Sequence, residues 1–275
     1  MGIIGDGNET YLYVNGISSS VTVRLHENVE LIPVAADFHY SKVSKLLKSD
    51  VDFAIAALSG RNLAVQMRIV APDSKALAIS AWNAQWDALL LGAIFNCNVM
   101  CNIQSDQPIE NLENATYVNV TNYEFRALLS DTYNLSQTDV DWVNEHYSKA
   151  YALLDNDTYR TACHAMATHK WHSMPRVQLA ILWSGIEALF NASTEISFRI
   201  SLYIANFLAN DTAEAKIIFE KIKKLYSSRS AAVHGGKLKG DIDEIVSDSA
   251  TLLNRIIRCC AERGLPKTDD LAFRE

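Results

Sequence analysis

The chain has 275 residues, about half of them apolar, with a net charge of -7. That is enough apolar material for one large domain or two small ones, and it excludes a disordered chain. A negative balance also disfavours a protein that coats nucleic acid without selectivity, although a local basic groove is compatible with it.

The N-terminus, MGIIGDGNETYLYV, has no basic stretch leading into a long apolar run, so no signal peptide is expected. Asp6 stands where a myristoylation signal needs Ser or Thr. The best apolar run, Ala88 to Phe95, is far short of the roughly 20 residues that span a bilayer. No membrane partner is expected. The five cysteines, Cys97, Cys101, Cys163, Cys259 and Cys260, are odd in number and lack paired spacing, which fits a reducing cytoplasm.

Residues 1–130 mix strand-like and helix-like segments, which predicts a mixed α/β domain. Ser20 to His26 alternates Val21, Val23 and Leu25 against Thr22 and Arg24, the pattern of a half-buried strand. Leu63 to Pro72, Ala76 to Trp82 and Ala115 to Thr121 read as further strands. Ser41 to Leu58 and Asn83 to Phe95 read as helices. No phosphate-cradling glycine loop, dinucleotide fingerprint or nucleophile elbow occurs here.

Residues 135–275 read as an all-helical bundle of five to six helices with short connections, making the chain α+β overall. Ser136 and Asp139 form a capping box before a helix with Val140, Val143 and Tyr147 on one side. Asn156-Asp157 caps the next helix, and Pro175 suits the first turn of the apolar helix RVQLAILWSGIEALF. EISFRISLYIANFLA follows. Asp211 then caps a helix with Ile218, Ile222, Leu225 and Tyr226 on its inner stripe, closed by Gly235. The last helix puts Ile242, Ile245, Leu253, Ile256 and Ile257 on one side and ends at Gly264.

Three constellations carry candidate chemistry. Cys163, His164, His169 and His172 crowd one stretch, and Cys97 and Cys101 lie four apart, but neither matches a structural zinc pattern, which needs paired C-x2–4-C or H-x3–5-H sets supplying four ligands. Arg160 and His164 share a helix face and make a phosphate-binding pair or an ordinary surface. In Tyr226 to Gly236, YSSRSAAVHGG, Arg229 continues the inner apolar stripe and His234 stands at the helix end. A guanidinium on that side needs a carboxylate or phosphate partner. Spacing alone leaves two readings open. Arg229 and His234 flank one cleft, or Arg229 pairs with Glu187 or Glu195 inside the bundle while His234 caps the helix.

The order GIEALF, EISFRISLYIANFLA, then Arg229-Ser230-Ala231-Ala232-Val233-His234 resembles the HEPN helical domain family, specifically its Apea-like group, over roughly residues 135 to 264. That resemblance implies a bundle that forms a homodimer with two Arg-x4-His motifs facing across a cleft. It further implies a metal-independent endoribonuclease of a toxin or antiviral defence system, needing no cofactor. Arg229 and His234 are then catalytic, with Ser230 and Glu187 supporting. RNA is the expected partner, running past Lys223, Lys224, Lys237 and Lys239. A protein or small-molecule trigger is expected at residues 1–130. Gly236 replaces the modifiable tyrosine of some relatives, so silencing by that route is not expected. Two alternatives stand beside this one: a non-catalytic module binding RNA, a nucleotide or a protein, and a dimerisation scaffold whose Arg229 is a structural ion pair.

Overall fold

A computed structural model describes residues 5–123, 125–192, 195–233, 235–236 and 240–272. The chain divides into two compact units, Met1–Gly92 with Cys97–Ser148, and Ala93–Asn96 with Lys149–Glu275. An antiparallel sheet with helices is followed by an all-helical region, an α+β protein.

The first unit contains β1 (Glu9–Asn15), β2 (Ile17–Ser18), β3 (Val23–His26), β4 (Val29–Pro33), α1 (Tyr40–Val43), α2 (Asp50–Ser59), β5 (Val65–Val70), most of α3 (Ser74–Phe95), β6 (Met100–Ser105), β7 (Val118–Val120), β8 (Tyr133–Asn134) and most of α4 (Gln137–Ala152). Six strands form one sheet in the order β3-β4-β5-β1-β6-β7, and β2 pairs with β8 in a separate two-stranded ribbon. Within the sheet Leu12 faces Met67 on one side and Gln104 on the other, both pairings antiparallel.

Pattern reading passes over the central strands β1 and β6. Strand β1 is buried on both faces: Tyr11 and Tyr13 join a cluster with Phe38, Val43, Ala56 and Ile103, while Leu12 and Val14 are fully buried as well. A strand covered on both sides loses the period-two alternation that marks a half-exposed one. Strand β6 is buried yet half polar, and two of its polar side chains donate across the sheet unit. Asn102 donates to the Ser59 hydroxyl at 2.9 Å and Gln104 to the Thr10 hydroxyl at 3.1 Å.

Two expectations need correction. Ala76 to Trp82 is not a strand but the first half of α3, whose start is capped by Asp73 accepting from the Ala76 amide at 2.8 Å. The alternating letters there hide a helical stripe, Leu77, Ala81 and Ala84 buried while Ile79 and Trp82 face solvent. Ser41 to Leu58 is not one helix either. It breaks into α1 and α2, because Ser49 accepts from the Asp52 amide at 3.1 Å and starts a new helix mid-segment.

The second unit holds α5 (Asp157–Thr168), α6 (Pro175–Phe190), α7 (Ile196–Leu208), α8 (Thr212–Val233), α9 (Ile242–Arg263) and α10 (Thr268–Ala272). The capping signals act as read. Asn156 accepts from the Thr158 and Tyr159 amides, Pro175 opens α6, Asp211 accepts from the Glu214 amide, and Gly235 has φ +72° just past α8. Helix α6 is the axis, packing on α5, α8 and α9. Its Gly185 lets α5 approach closely, since a Cβ there would stand 2.8 Å from Ala165 Cβ. Trp183, fully buried, donates from its indole nitrogen to Ser249 of α9 at 3.1 Å. Among the described residues no helix is long and apolar enough to cross a membrane.

Candidate functional site

Helix α8 presents Tyr226 and Arg229 one turn apart, and α6 answers with Trp183 and Glu187, also one turn apart. The four side chains form one cluster. The Tyr226 ring meets Trp183 edge-on with centroids 5.2 Å apart, and the Arg229 guanidinium lies 5.6 Å from the Tyr226 ring centroid. Arg229 Nη2 stands 2.9 Å from Glu187 Oε1 and 3.1 Å from Oε2, and only the second has hydrogen-bond geometry. The Arg229 side chain is 18% exposed and that of Glu187 30%. Arg229 Nε is buried and finds no acceptor among the described residues.

Burial pushes the Glu187 carboxyl above its usual range, and the Arg229 charge only partly opposes it. Burial also raises the Tyr226 hydroxyl, with the Glu187 carboxylate adding to the effect. This is a partly dehydrated ion pair backed by aromatic rings, in which a guanidinium is oriented by one nitrogen and keeps donors in reserve. An added phosphate oxygen near such a group gains a charge-assisted hydrogen bond.

Glu187 and Arg229 are therefore brought together, while Glu195 is engaged with Arg199 instead, at 3.9 Å. Ser230 is half-buried on α8, and no hydrogen bond joins it to either partner among the described residues. His234, Lys237 and Lys239 lie outside the described residues. Lys223 and Lys224 are exposed on α8, with Lys223 Nζ 5.8 Å from the Phe219 ring centroid. They lie about 120° and 140° round the helix from Arg229, so they do not extend its face.

The backbone at the motif is held from α6 too, by a residue that pattern reading did not single out. Arg176, next to the helix-opening Pro175, donates to the Ala232 carbonyl at 2.8 Å and to the Gly236 carbonyl at 3.3 Å. The Gly236 amide bonds the Ala231 carbonyl at 2.7 Å, the long bond of a Schellman closure. Helix α6 thus grips α8 on both sides of Ser230. An arginine following Pro175 gives no signal of a partner so distant in sequence.

The other two constellations are engaged elsewhere. Arg160 donates to the Leu154 carbonyl at 2.9 Å and bonds Asp157, steadying the start of α5, while His164 is exposed. Cys163 is fully buried, with burial pushing its thiol up. His169 bonds the Met166 carbonyl at 2.7 Å and is pushed down to about 4 by burial. Among the described residues no group of three or more His, Cys, Asp or Glu is placed to hold a metal ion. No protein-family model, curated protein or solved structure matches the chain, so the reading of this cluster rests on its own residues.

Proposed function

We propose that the chain is a metal-independent endoribonuclease acting through Arg229 and His234, with the helical unit pairing with a second copy so that two motifs share one cleft. The observation that carries this reading is the Arg229–Glu187 pair: a half-buried guanidinium, held by a carboxylate from a facing helix, with a buried Nε–H left without an acceptor among the described residues. Val233, one turn beyond Arg229, is 43% exposed and offers apolar surface to a second copy.

In this mechanism Arg229 binds the scissile phosphate and the charge that builds on it. His234 takes the proton from the ribose 2′-hydroxyl, whose oxygen attacks phosphorus, and the 5′-oxygen leaves after protonation by the second motif. The products are a 2′,3′-cyclic phosphate and a 5′-hydroxyl. Glu187 positions the guanidinium, and Ser230, the next residue in sequence, donates to the phosphate. Lys223, Lys224, Lys237 and Lys239 attract the RNA backbone and make activity salt-sensitive. The first unit senses a trigger, a protein or small molecule, or selects the RNA.

A second reading draws on the same ion pair. Arg229 and Glu187 are then structural, and the bundle is a dimerisation or binding module. Purified protein incubated with mixed RNA in excess chelator separates the two, alongside Arg229→Ala and His234→Ala. Cleavage in the wild type, lost in both variants while their thermal unfolding stays cooperative, is the expected result. Equal cleavage by all three proteins sinks the ribonuclease reading. Loss of the dimer or of stability in Arg229→Ala, with no RNA bound or cleaved by the wild type, favours the structural one.

A further inference from the structure

The C-terminal half of α9 and the end of α7 enclose a recess of about 400 Å³. It shares no residue with the Arg229–Glu187 cluster. Three of its lining residues are arginines, Arg255, Arg258 and Arg263, joined by the amides of Asn210 and Asn254 and a single carboxylate, Glu262. In a chain of net charge -7 this is a local excess of positive charge.

Helix capping explains part of it. Arg263 donates to the Phe207 carbonyl at 3.3 Å and to Asn210 Oδ1 at 3.0 Å. Arg255 Nη2 donates to the Leu208 carbonyl at 3.3 Å and to Glu214 at 3.1 Å. Carbonyls in the last turn of α7 have no partner within the helix and attract cations. These contacts use fewer N–H groups than two guanidiniums possess. The Arg258 guanidinium lies over the Phe95 ring, 5.9 Å from its centroid, within cation–π range. Asn254 is fixed, donating to the Ala93 and Ile94 carbonyls at 2.8 and 2.7 Å. Because its amide nitrogen serves both carbonyls, its side-chain oxygen is left to accept from a ligand hydroxyl.

Fixed guanidiniums around a recess match phosphate oxygens, which accept paired hydrogen bonds from such forks. Small-molecule sites occupy about 300–1,000 Å³, and this recess falls within that range. We propose that it binds a small molecule bearing a diphosphate group, the phosphates lying among Arg255, Arg258 and Arg263. This assignment is independent of the ribonuclease reading.

Calorimetric titration of the full chain tests it, with inorganic pyrophosphate, a nucleoside diphosphate, and an RNA oligomer lacking terminal phosphates as probes. One-site saturable binding of pyrophosphate alone assigns the contact to the free anion, and tighter binding of the nucleotide assigns it to a nucleoside-borne group. The double variant Arg258→Gln with Arg263→Gln weakens binding by about tenfold or more. Glu262 is exposed, and Glu262→Gln removes the recess carboxylate while leaving the capping arginines in place, so binding tightens. That second variant keeps the test decisive even if the double variant fails to fold. Three results overturn the proposal: no saturable binding of either diphosphate, an affinity that Glu262→Gln leaves unchanged, or binding of the RNA oligomer in place of both.

Discussion

The sheet unit and the helical unit satisfy their buried polar groups in opposite ways. In the sheet, Thr10 donates to the Ser105 carbonyl, Gln66 accepts from the Ile109 amide while donating to Glu110, and Asn102 reaches Ser59. Every one of these bonds joins segments more than forty residues apart. In the bundle, the buried hydroxyls of Thr168, Ser201 and Ser249 each bond the carbonyl four residues back on their own helix. Those bonds are local, so the long-range polar chemistry of the bundle is left to a few side chains, with Arg229 and Glu187 prominent among them. Where ordinary polar groups are settled locally, a half-buried charge that reaches another helix stands out as a candidate site.

Substitutions can break this contrast, and the largest effect is expected at Trp183. Trp183→Ala removes a fully buried indole between α6, α8 and α9. It should cost about 3–5 kcal/mol, read as a fall in the denaturant midpoint, and it should remove the ring that backs Tyr226 and Arg229. In the sheet, Thr10→Val keeps the shape but leaves the Ser105 carbonyl and the Gln104 amide short of a partner. A loss of about 1–3 kcal/mol is expected, against well under 1 kcal/mol if those groups find water.

Arg176→Ala tests whether α6 positions the motif from both sides. It frees the Ala232 and Gly236 carbonyls, and a loss of about 1 kcal/mol is expected. RNA cleavage should fall well beyond what that loss of folded protein explains, in kcat rather than KM. A drop in stability with unchanged kcat marks Arg176 as a cap alone.

A subtler contrast concerns Asp87, fully buried in the sheet unit between His26 at 3.1 Å and the Tyr147 hydroxyl at 2.9 Å. Burial raises its carboxyl above the ordinary value despite both partners. The folded state therefore holds this proton more tightly than the unfolded state, and the group's contribution to stability falls as pH rises from about 4 through the raised value. Asp87→Asn should gain on the wild type across that window when unfolding is followed against pH. A constant gap between the two proteins contradicts the assignment. The smallest effect is expected at Lys223 and Lys224. Both are exposed, so their alanine variants should move stability by less than about 0.5 kcal/mol while flattening the salt dependence of RNA binding.

How much of this was legible in the sequence follows the same division. Helix stripes and caps are local, so Asn156, Pro175, Asp211 and Gly235 announce the bundle directly. The sheet announces itself poorly, because β1 is buried on both faces and β6 buries polar side chains, among them Asn102 and Gln104, which donate to Ser59 and Thr10. Ala76 to Trp82 misleads for a related reason: small and large apolar residues alternate by chance along a helix. Of the site, the intrusion of Arg229 on an apolar stripe was readable, and so was the choice of Glu187 or Glu195 as its partner. Choosing between them required the packing of α8 on α6. The Arg176 clamp and the arginine recess had no sequence signal, since their partners are backbone carbonyls and residues from separate helices.

The most direct test of the central claim is the chemistry of the RNA ends that the wild-type protein leaves in excess chelator. Arg229–His234 catalysis predicts 2′,3′-cyclic phosphates and 5′-hydroxyls, formed by the wild type and absent with Arg229→Ala. Products ending in 3′-hydroxyl and 5′-phosphate, or cyclic ends that persist undiminished in Arg229→Ala, would contradict it.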